Sequence, residues 1–397
     1  MEPVKRAATA EPAVLAGAAP PQAPRRAPER HRLVALDTFR GITIAAMILV
    51  NSPGAGRHGY AFLQHAKWNG WRPADLIFPA FLFIAGVAIP LSFARQMELG
   101  ADRRAMRAKI LTRTRIIFGL GLLLNALPYF DWNVLRIPGV LQRIALCYGA
   151  AALLSLYVDR RSQALTAVAL LLGYWALLIL LPVGGHAAGV LTPGTDLGAY
   201  LDRFLMGGHL AHPDWDPEGL LSTLPAIATT LAGVLTGHWL RAAPSARRCL
   251  AGLLLGAVTG IALGELWGVW FPINKSLWTS SYAVFTAGTA LAGFAFCYWL
   301  IDIHGYRRWA QPFVIYGTNP ILAYGLSSLL TKLFLLIHVR GRGAGGMPIT
   351  LQLYIYHRLF ARLASPPAAS LLYALTFTLL WLGVMTVLYR RGVFVKI

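Results

Sequence analysis

The sequence predicts an all-α fold: a polytopic integral membrane protein of about ten transmembrane helices with both termini in the cytoplasm. Three observations predict it. Of 397 residues, 56% are hydrophobic and only 13% charged, whereas a soluble domain carries about a quarter charged residues. Apolar runs of about 20 residues, the length that spans a bilayer, recur along the chain. The basic residues cluster between alternate runs, which is how cytoplasmic loops differ from the loops opposite.

The elements follow in order. Residues 1–31 are rich in Ala and Pro and close on Arg25, Arg26 and Arg30. They lack the continuous apolar core of a signal peptide and read as a disordered cytoplasmic tail before one transmembrane domain at 32–397. Ten spans are expected at roughly 34–52, 74–94, 110–128, 139–158, 164–183, 221–241, 248–268, 277–301, 311–337 and 370–389. The connections at 95–109, 160–161, 241–248 and 307–308 are basic, as is the end with Arg390, Arg391 and Lys396. Counting spans puts all of these on the side of the tail. The alternate connections hold Asp131, Asp196, Asp202, Asp214, Asp216 and Glu218. The connection at 338–369 departs from the pattern, with Arg340, Arg342, Arg358 and Arg362. Its stretch TLQLYIYHRLFARL has the look of an interfacial helix, and GRGAGG before it reads as a flexible turn.

Distributed this way, the net charge of +20 reflects topology and membrane lipid, not a nucleic-acid partner. Cys147, Cys249 and Cys297 lie in or beside apolar runs. Their number and placement offer no disulfide framework, so they read as small buried residues.

Polar groups concentrate between residues 37 and 90. Asp37, Arg40, Asn51, His65 and Asp75 lie in or beside two apolar runs, where ionisable groups are costly and tend to face a cavity. Asp37 and Arg40, three residues apart, can pair. With Asn51 they share roughly one stripe, because eleven residues cover close to three helical turns. His65 lies between the two helices, and imidazole is the usual proton acceptor near neutral pH. Asp75, at the head of the second helix, is placed to orient it. The bland alternatives are a solvated loop histidine and an Asp37–Arg40 pair that only neutralises itself.

Further polar residues fall on the same side as Asn51. Trp68 and Asn69 follow His65. Arg136 precedes the fourth run, and Gln142 and Arg143 open it. Lys275, Trp278, Ser281 and Tyr282 open the eighth. Asn319 and Pro320 break the ninth, which is tolerated where backbone faces protein or a cavity. Arg136 as a simple interface anchor, and Asn319 as a repair of the proline break, are the plain readings. The stretch HLAHPDWDPEG offers His209, His212, Asp214, Asp216 and Glu218. Its spacing matches no zinc or EF-hand pattern, so no metal is expected. Asp216 and Glu218 read as caps of the next helix or as contacts to a polar ligand.

Six stretches together resemble one family. LDTFRGITIAAMILVN and HAKWNGWRPADLIFPAFLFIAG are followed by LRIPGVLQRIALCY, DPEGLLSTLPAI, NKSLWTSSY and YGTNPILAY. In this order they resemble the heparan-α-glucosaminide N-acetyltransferase family from about residue 32 to near the end. The resemblance implies a homodimeric transmembrane acyltransferase that passes acetyl from cytoplasmic acetyl-CoA to the amine of a terminal glucosamine. It carries the family's catalytic histidine onto His65 and a family asparagine onto Asn51. On this reading Asp75 orients His65, and Asp37, Arg40, Arg113 and Arg115 meet acetyl-CoA. The acceptor, an amino sugar or glycan, falls to Trp68, Asn69, Arg136, Gln142, Arg143, Asp216, Glu218, Lys275, Trp278, Ser281 and Asn319. Animal members carry a lumenal domain and an extra helix where this sequence has a short tail. The expectation is therefore the bacterial branch, associated with N-acetylglucosamine utilisation, acting at the periplasmic face of an inner membrane. The alternative is an N-acetylglucosamine transporter with its site at the Asn319 break.

Overall fold

A computed structural model describes residues 33–54, 59–127, 129–340 and 347–395. The tail at 1–31 and the GRGAGG turn at 341–346 lie outside these residues. The described chain is dominated by helices: α1 (Val34–Asn51), α2 (Ile77–Glu98), α3 (Arg103–Ala126), α4 (Val140–Tyr157), α5 (Arg160–Leu180) and the short α6 (Leu197–Met206). Then come α7 (Thr223–Ala242), α8 (Ala246–Gly268), α9 (Ser280–Cys297), α10 (Gln311–Thr318), α11 (Pro320–Leu336), α12 (Leu351–Ile355) and α13 (Pro366–Arg390). Two short strands, β1 (His338–Val339) and β2 (Ile349–Thr350), pair antiparallel.

Each expected span falls on a helix, the ninth on the pair α10–α11. Among the described residues seven helices are long and apolar enough to cross a membrane, or eight if the bent pair is one span. The two that fall short are α3 and α7, for different reasons. The first thirteen residues of α3 carry Arg103, Arg104, Arg107, Lys109, Arg113 and Arg115. More than half of the residues of α7 are buried by other helices, so its outer surface need not match lipid. Its Thr229 and Thr230 hydroxyls donate to carbonyls one turn back, which satisfies them inside an apolar bundle. The amphipathic stretch after β2 forms α12 and continues as a π-helical turn over Tyr356–Phe360. All three cysteines are buried and free.

Caps set the helix starts. Asp102, Asp159 and Asp196 accept backbone N–H groups at the heads of α3, α5 and α6. At the Asn319–Pro320 break, α10 and α11 meet at 84°. Asn319 is consumed there. Its Nδ2 donates to the Val393 carbonyl (2.9 Å), and its Oδ1 accepts from the Val395 N–H (2.8 Å). Lys332 of α11 donates to the carbonyls of Leu124 and Leu127, at the C-terminal end of α3, where a cation is favoured.

Helix α1 runs through the middle of the principal core, where Ile44, Met47 and Ile48 pack with Phe81, Leu82, Phe285 and Trp381. Its approach to α10 needs glycine on both sides. A Cβ on Gly41 would lie 1.7 Å from the Phe313 carbonyl oxygen, and one on Gly317 2.1 Å from that of Asp37. This contact brings the Gly317 carbonyl to Arg40.

Candidate active site

A cavity of about 350 Å3 lies at the Asn51 end of α1. Its walls come from α1 (Met47, Val50, Asn51), the loop and turn before α2 (His65, Trp68, Asp75), the loop before α7 (His212, Trp215, Glu218) and the turn before α9 (Lys275, Ser276, Trp278).

His65 and Asp75 form its polar centre. Pro73 starts a 3-10 turn into α2, which puts the Asp75 carboxylate among free backbone N–H groups. One oxygen accepts from Ala66 N and Arg72 N, both at 3.0 Å. The other stands 2.7 Å from His65 Nδ1. The Asp75 side chain is 1% exposed and that of His65 46% exposed, so a buried acceptor anchors a ring that reaches the cavity. The Tyr282 hydroxyl donates to the Asp75 carbonyl (2.6 Å) and fixes the turn from below.

Lys275 completes the cluster. Its Nζ lies 3.4 Å from Asp75 Oδ1, 2.9 Å from His65 Nδ1 and 3.3 Å from Nε2. Nδ1 cannot both donate to Asp75 and accept from Lys275. The shorter contact to a carboxylate decides the tautomer: Nδ1–H faces Asp75, and Nε2 carries the lone pair. The ammonium is then shared between the carboxylate and Nε2. Burial pushes the Lys275 pKa down, and this outweighs the upward pull of Asp75 and Glu218.

Lys275 and Trp278 precede α9 rather than open it, which corrects the expected boundary. Thr279 is the cap: its Oγ1 accepts from Asn274 N (3.0 Å) and donates to the Pro272 carbonyl (2.8 Å). Trp278 adopts φ +50°, an uncommon conformation for a bulky residue. Its ring is nonetheless buried edge-on against Phe78 (5.1 Å), so packing holds the strained turn that presents Lys275.

The opposite wall is aromatic. His212 stacks on Trp215 (4.4 Å), which meets Trp68 edge-on (5.2 Å). Trp68 Nε1 donates to the Leu191 carbonyl (2.7 Å). Below it, Arg136 reaches Asp216 through Nε (2.9 Å) and Nη2 (2.6 Å) and also bonds Glu218. Burial alone would lower the Arg136 pKa; the two carboxylates more than offset it and raise it. Asp216 and Glu218 therefore tie the loop to Arg136 instead of capping α7, and Glu218 also faces the cavity.

Several residues expected at the acceptor stand elsewhere. Arg143 is buried behind Trp278, 5.1 Å from its ring, and bonds the Gly219 carbonyl and Ser222. Gln142 is buried against α3 beside Gly121. Ser281 is spent on the Phe271 carbonyl, and Asn69 on Asn274 (3.1 Å). Asn319 neighbours the other end of α1. Gln142, Arg143, Ser281 and Asn69 have the right side but the wrong direction, whereas Asn319 has the wrong side. In contrast His212, Trp215 and Ser276 line the cavity without having been singled out for the acceptor; only the aromatic residues within HLAHPDWDPEG hinted at it.

A second cavity, about 360 Å3, lies at the Arg40 end. Arg40, Ser92, Arg113, Tyr148 and Thr318 line it together with apolar residues. Arg40 Nη1 is 3.2 Å from Asp37 and 3.4 Å from the Gly317 carbonyl, and the Arg113 guanidinium covers the Tyr148 ring at 4.6 Å. Arg115 and Asp37 are not in its lining. The two cavities come within one helical turn of each other: Phe78 and Val140 line the first, Phe81 and Ile144 the second.

Asp202 of α6 sits under the loop before α7, its carboxylate accepting from the Leu220 N–H at 2.9 Å. Burial, aided by Asp216 and Asp196, raises its pKa from 3.8 to about 6 against the Leu220 bond and Arg143. A raised carboxylate contributes stability that is complete below about pH 4 and lost as pH rises through about 6. Asp202→Asn is expected to stabilise the fold at pH 8 but not at pH 4, by up to about 3 kcal/mol, seen as a higher thermal midpoint at pH 8 alone. An equal change at both pH values would contradict this.

A profile of the catalytic region of heparan-alpha-glucosaminide N-acetyltransferase matches residues 32–261. The chain belongs to this family. The heparan-alpha-glucosaminide N-acetyltransferase of Homo sapiens is 32% identical over 358 residues, covering 74% of this chain and 52% of the relative. That of Mus musculus is 31% identical over 369 residues, covering 77% and 54%. The chain thus spans about half the length of these curated relatives. The family profile takes in Arg40, Asn51, His65, Asp75, Arg113 and the loop to Glu218; Lys275 and Trp278 lie beyond it.

Proposed function

We propose that this chain is a membrane-embedded acetyltransferase that takes acetyl from acetyl-CoA at the Arg40 end and delivers it, at the His65 end, to the amine of a glucosamine-type acceptor. The observation that carries this is the pair of cavities along α1, within one turn of meeting on α2 and α4. One is flanked by arginines and the other holds His65, Asp75 and Lys275. Phosphates suit Arg40 and Arg113. The narrow pantetheine arm would cross the single turn that separates Phe81 from Phe78. In the proposed topology all ten helical units cross a bacterial inner membrane, both termini are cytoplasmic, and the His65 end is periplasmic.

At that end the acceptor ammonium displaces Lys275 from His65 Nε2, leaving Lys275 on Asp75, and Nε2 takes the acceptor's proton. The freed amine attacks the thioester carbonyl, a C–N bond forms, and the C–S bond breaks. The CoA sulfur leaves as thiolate and takes the proton back from His65, while the proton lost from the amine on forming the amide goes to solvent. Asn51, whose side chain makes no hydrogen bond among the described residues, lines the cavity and donates to the oxyanion. The N-acetyltransferase name of the relatives supports this over the transporter reading, and Asn319, the residue that reading relied on, is consumed by backbone.

The test is purified protein with labelled acetyl-CoA and a panel of amino sugars. Transfer to glucosamine supports the proposal; absence of transfer to every amine refutes it. Label retained on the protein in a single turnover would make His65 a nucleophile instead of a base. Arg40→Gln and Arg113→Gln are each expected to raise the KM for acetyl-CoA about tenfold or more, the worth of a charge-assisted bond, with a smaller change in kcat. An unchanged KM would place CoA elsewhere.

A further inference from the structure

A third cavity, about 220 Å3, also reaches His65, from the side away from Trp68. Its character differs from that of the acceptor cavity. Leu49, Val50, Pro53, Leu63, Pro367, Leu371 and Ala374 make most of its wall among the described residues, with Tyr60, Gln64, His65 and Ser370 as its polar side chains. Gln64 is spent on the Gly59 carbonyl and Arg72, so a second sugar ring would leave most of its hydroxyls without partners on such a surface, whereas a hydrocarbon chain needs none.

Two features say where that chain comes from. The α13 wall belongs to a candidate membrane helix of which only 28% of the span is buried, so the described chain leaves most of its surface uncovered. Beside the cavity, Tyr60 and Phe62 stack at 5.7 Å and remain 38% and 51% exposed, on a short turn between two membrane helices. Exposed aromatic pairs at such a level mark the membrane interface. The cavity adjoins the candidate site, with His65 and Val50 as the wall they share.

We infer that the acceptor is an amphiphilic amine: its amino-sugar head lies among His65, Trp215 and Lys275, and an apolar chain attached to it lies between α1 and α13. This rests on the acetyltransferase reading above and narrows its substrate to membrane-partitioned amino glycosides. A buried methylene is worth up to about fourfold in affinity.

The experiment measures kcat/KM for glucosamine and for its methyl, butyl and hexyl glycosides, below their micellar concentrations and at fixed detergent. A rise of tenfold or more from methyl to hexyl is expected. The hexyl-to-methyl ratio is then measured in Ala374→Leu and Ala374→Phe, which fill the cavity to two degrees. Because each ratio is taken within one variant, a general loss of folded protein cancels. The ratio should fall toward one in both variants. A flat series in the wild type overturns the inference while leaving acetyl transfer to glucosamine intact. A rise that survives both fillings also overturns it, since the gain would then come from partition into detergent or lipid. Absence of turnover with every amine would instead refute the acetyltransferase reading itself.

Discussion

His65→Ala is expected to lower kcat for acetyl transfer by two to four orders of magnitude, the usual worth of a positioned general base. The KM for acetyl-CoA should hardly move, because the arginines of the other cavity are untouched. Folding should survive as well. His65 is 46% exposed on its side chain, and Asp75 keeps Ala66 N, Arg72 N and Lys275 as partners without it. Loss of rate with an unshifted thermal midpoint is therefore the signature. Equal turnover by variant and wild type would remove His65 from the chemistry.

Asp75→Asn should be worse for the protein while leaving the imidazole in place. The carboxylate accepts two backbone N–H groups on one oxygen and faces His65 and Lys275 with the other. An amide offers one accepting oxygen and one NH2, so a donor must meet a donor on one side, and Lys275 loses its counter-charge. Removing one member of a buried pair costs about 3–5 kcal/mol. Turnover should fall about a thousandfold, since the ring can then flip tautomer and present Nε2–H to the amine. In serine proteases the same change costs about 10⁴. The expected pair of results is a depressed thermal midpoint together with a lost rate, against the lost rate alone of His65→Ala. A variant as stable and as active as wild type would show that Asp75 does not orient the ring.

Much of the framework was legible in the residues. Span positions follow from apolar length, a local property, and the bend at Asn319–Pro320 follows from a missing N–H. His65 and Asp75 could be paired because one short loop joins their helices. Direction was not legible. Gln142, Arg143 and Ser281 sit near the correct helix ends, but a position at a helix head does not say which neighbour a side chain faces. Arg143 supports Trp278 from behind, and Ser281 tightens the turn before α9. Trp215 and His212 escaped for a related reason: their stack against Trp68 joins loops about 150 residues apart in sequence, and spacing within a motif carries no trace of it.

The central claim is that donor and acceptor meet from opposite ends of α1. Proteoliposomes carrying the protein in one orientation test it most directly, with labelled acetyl-CoA confined to one face and glucosamine to the other. The account predicts labelled N-acetylglucosamine when acetyl-CoA is on the Arg40 face and the amine on the His65 face, and none in the reverse arrangement. Product formed only when both substrates share a face would contradict it.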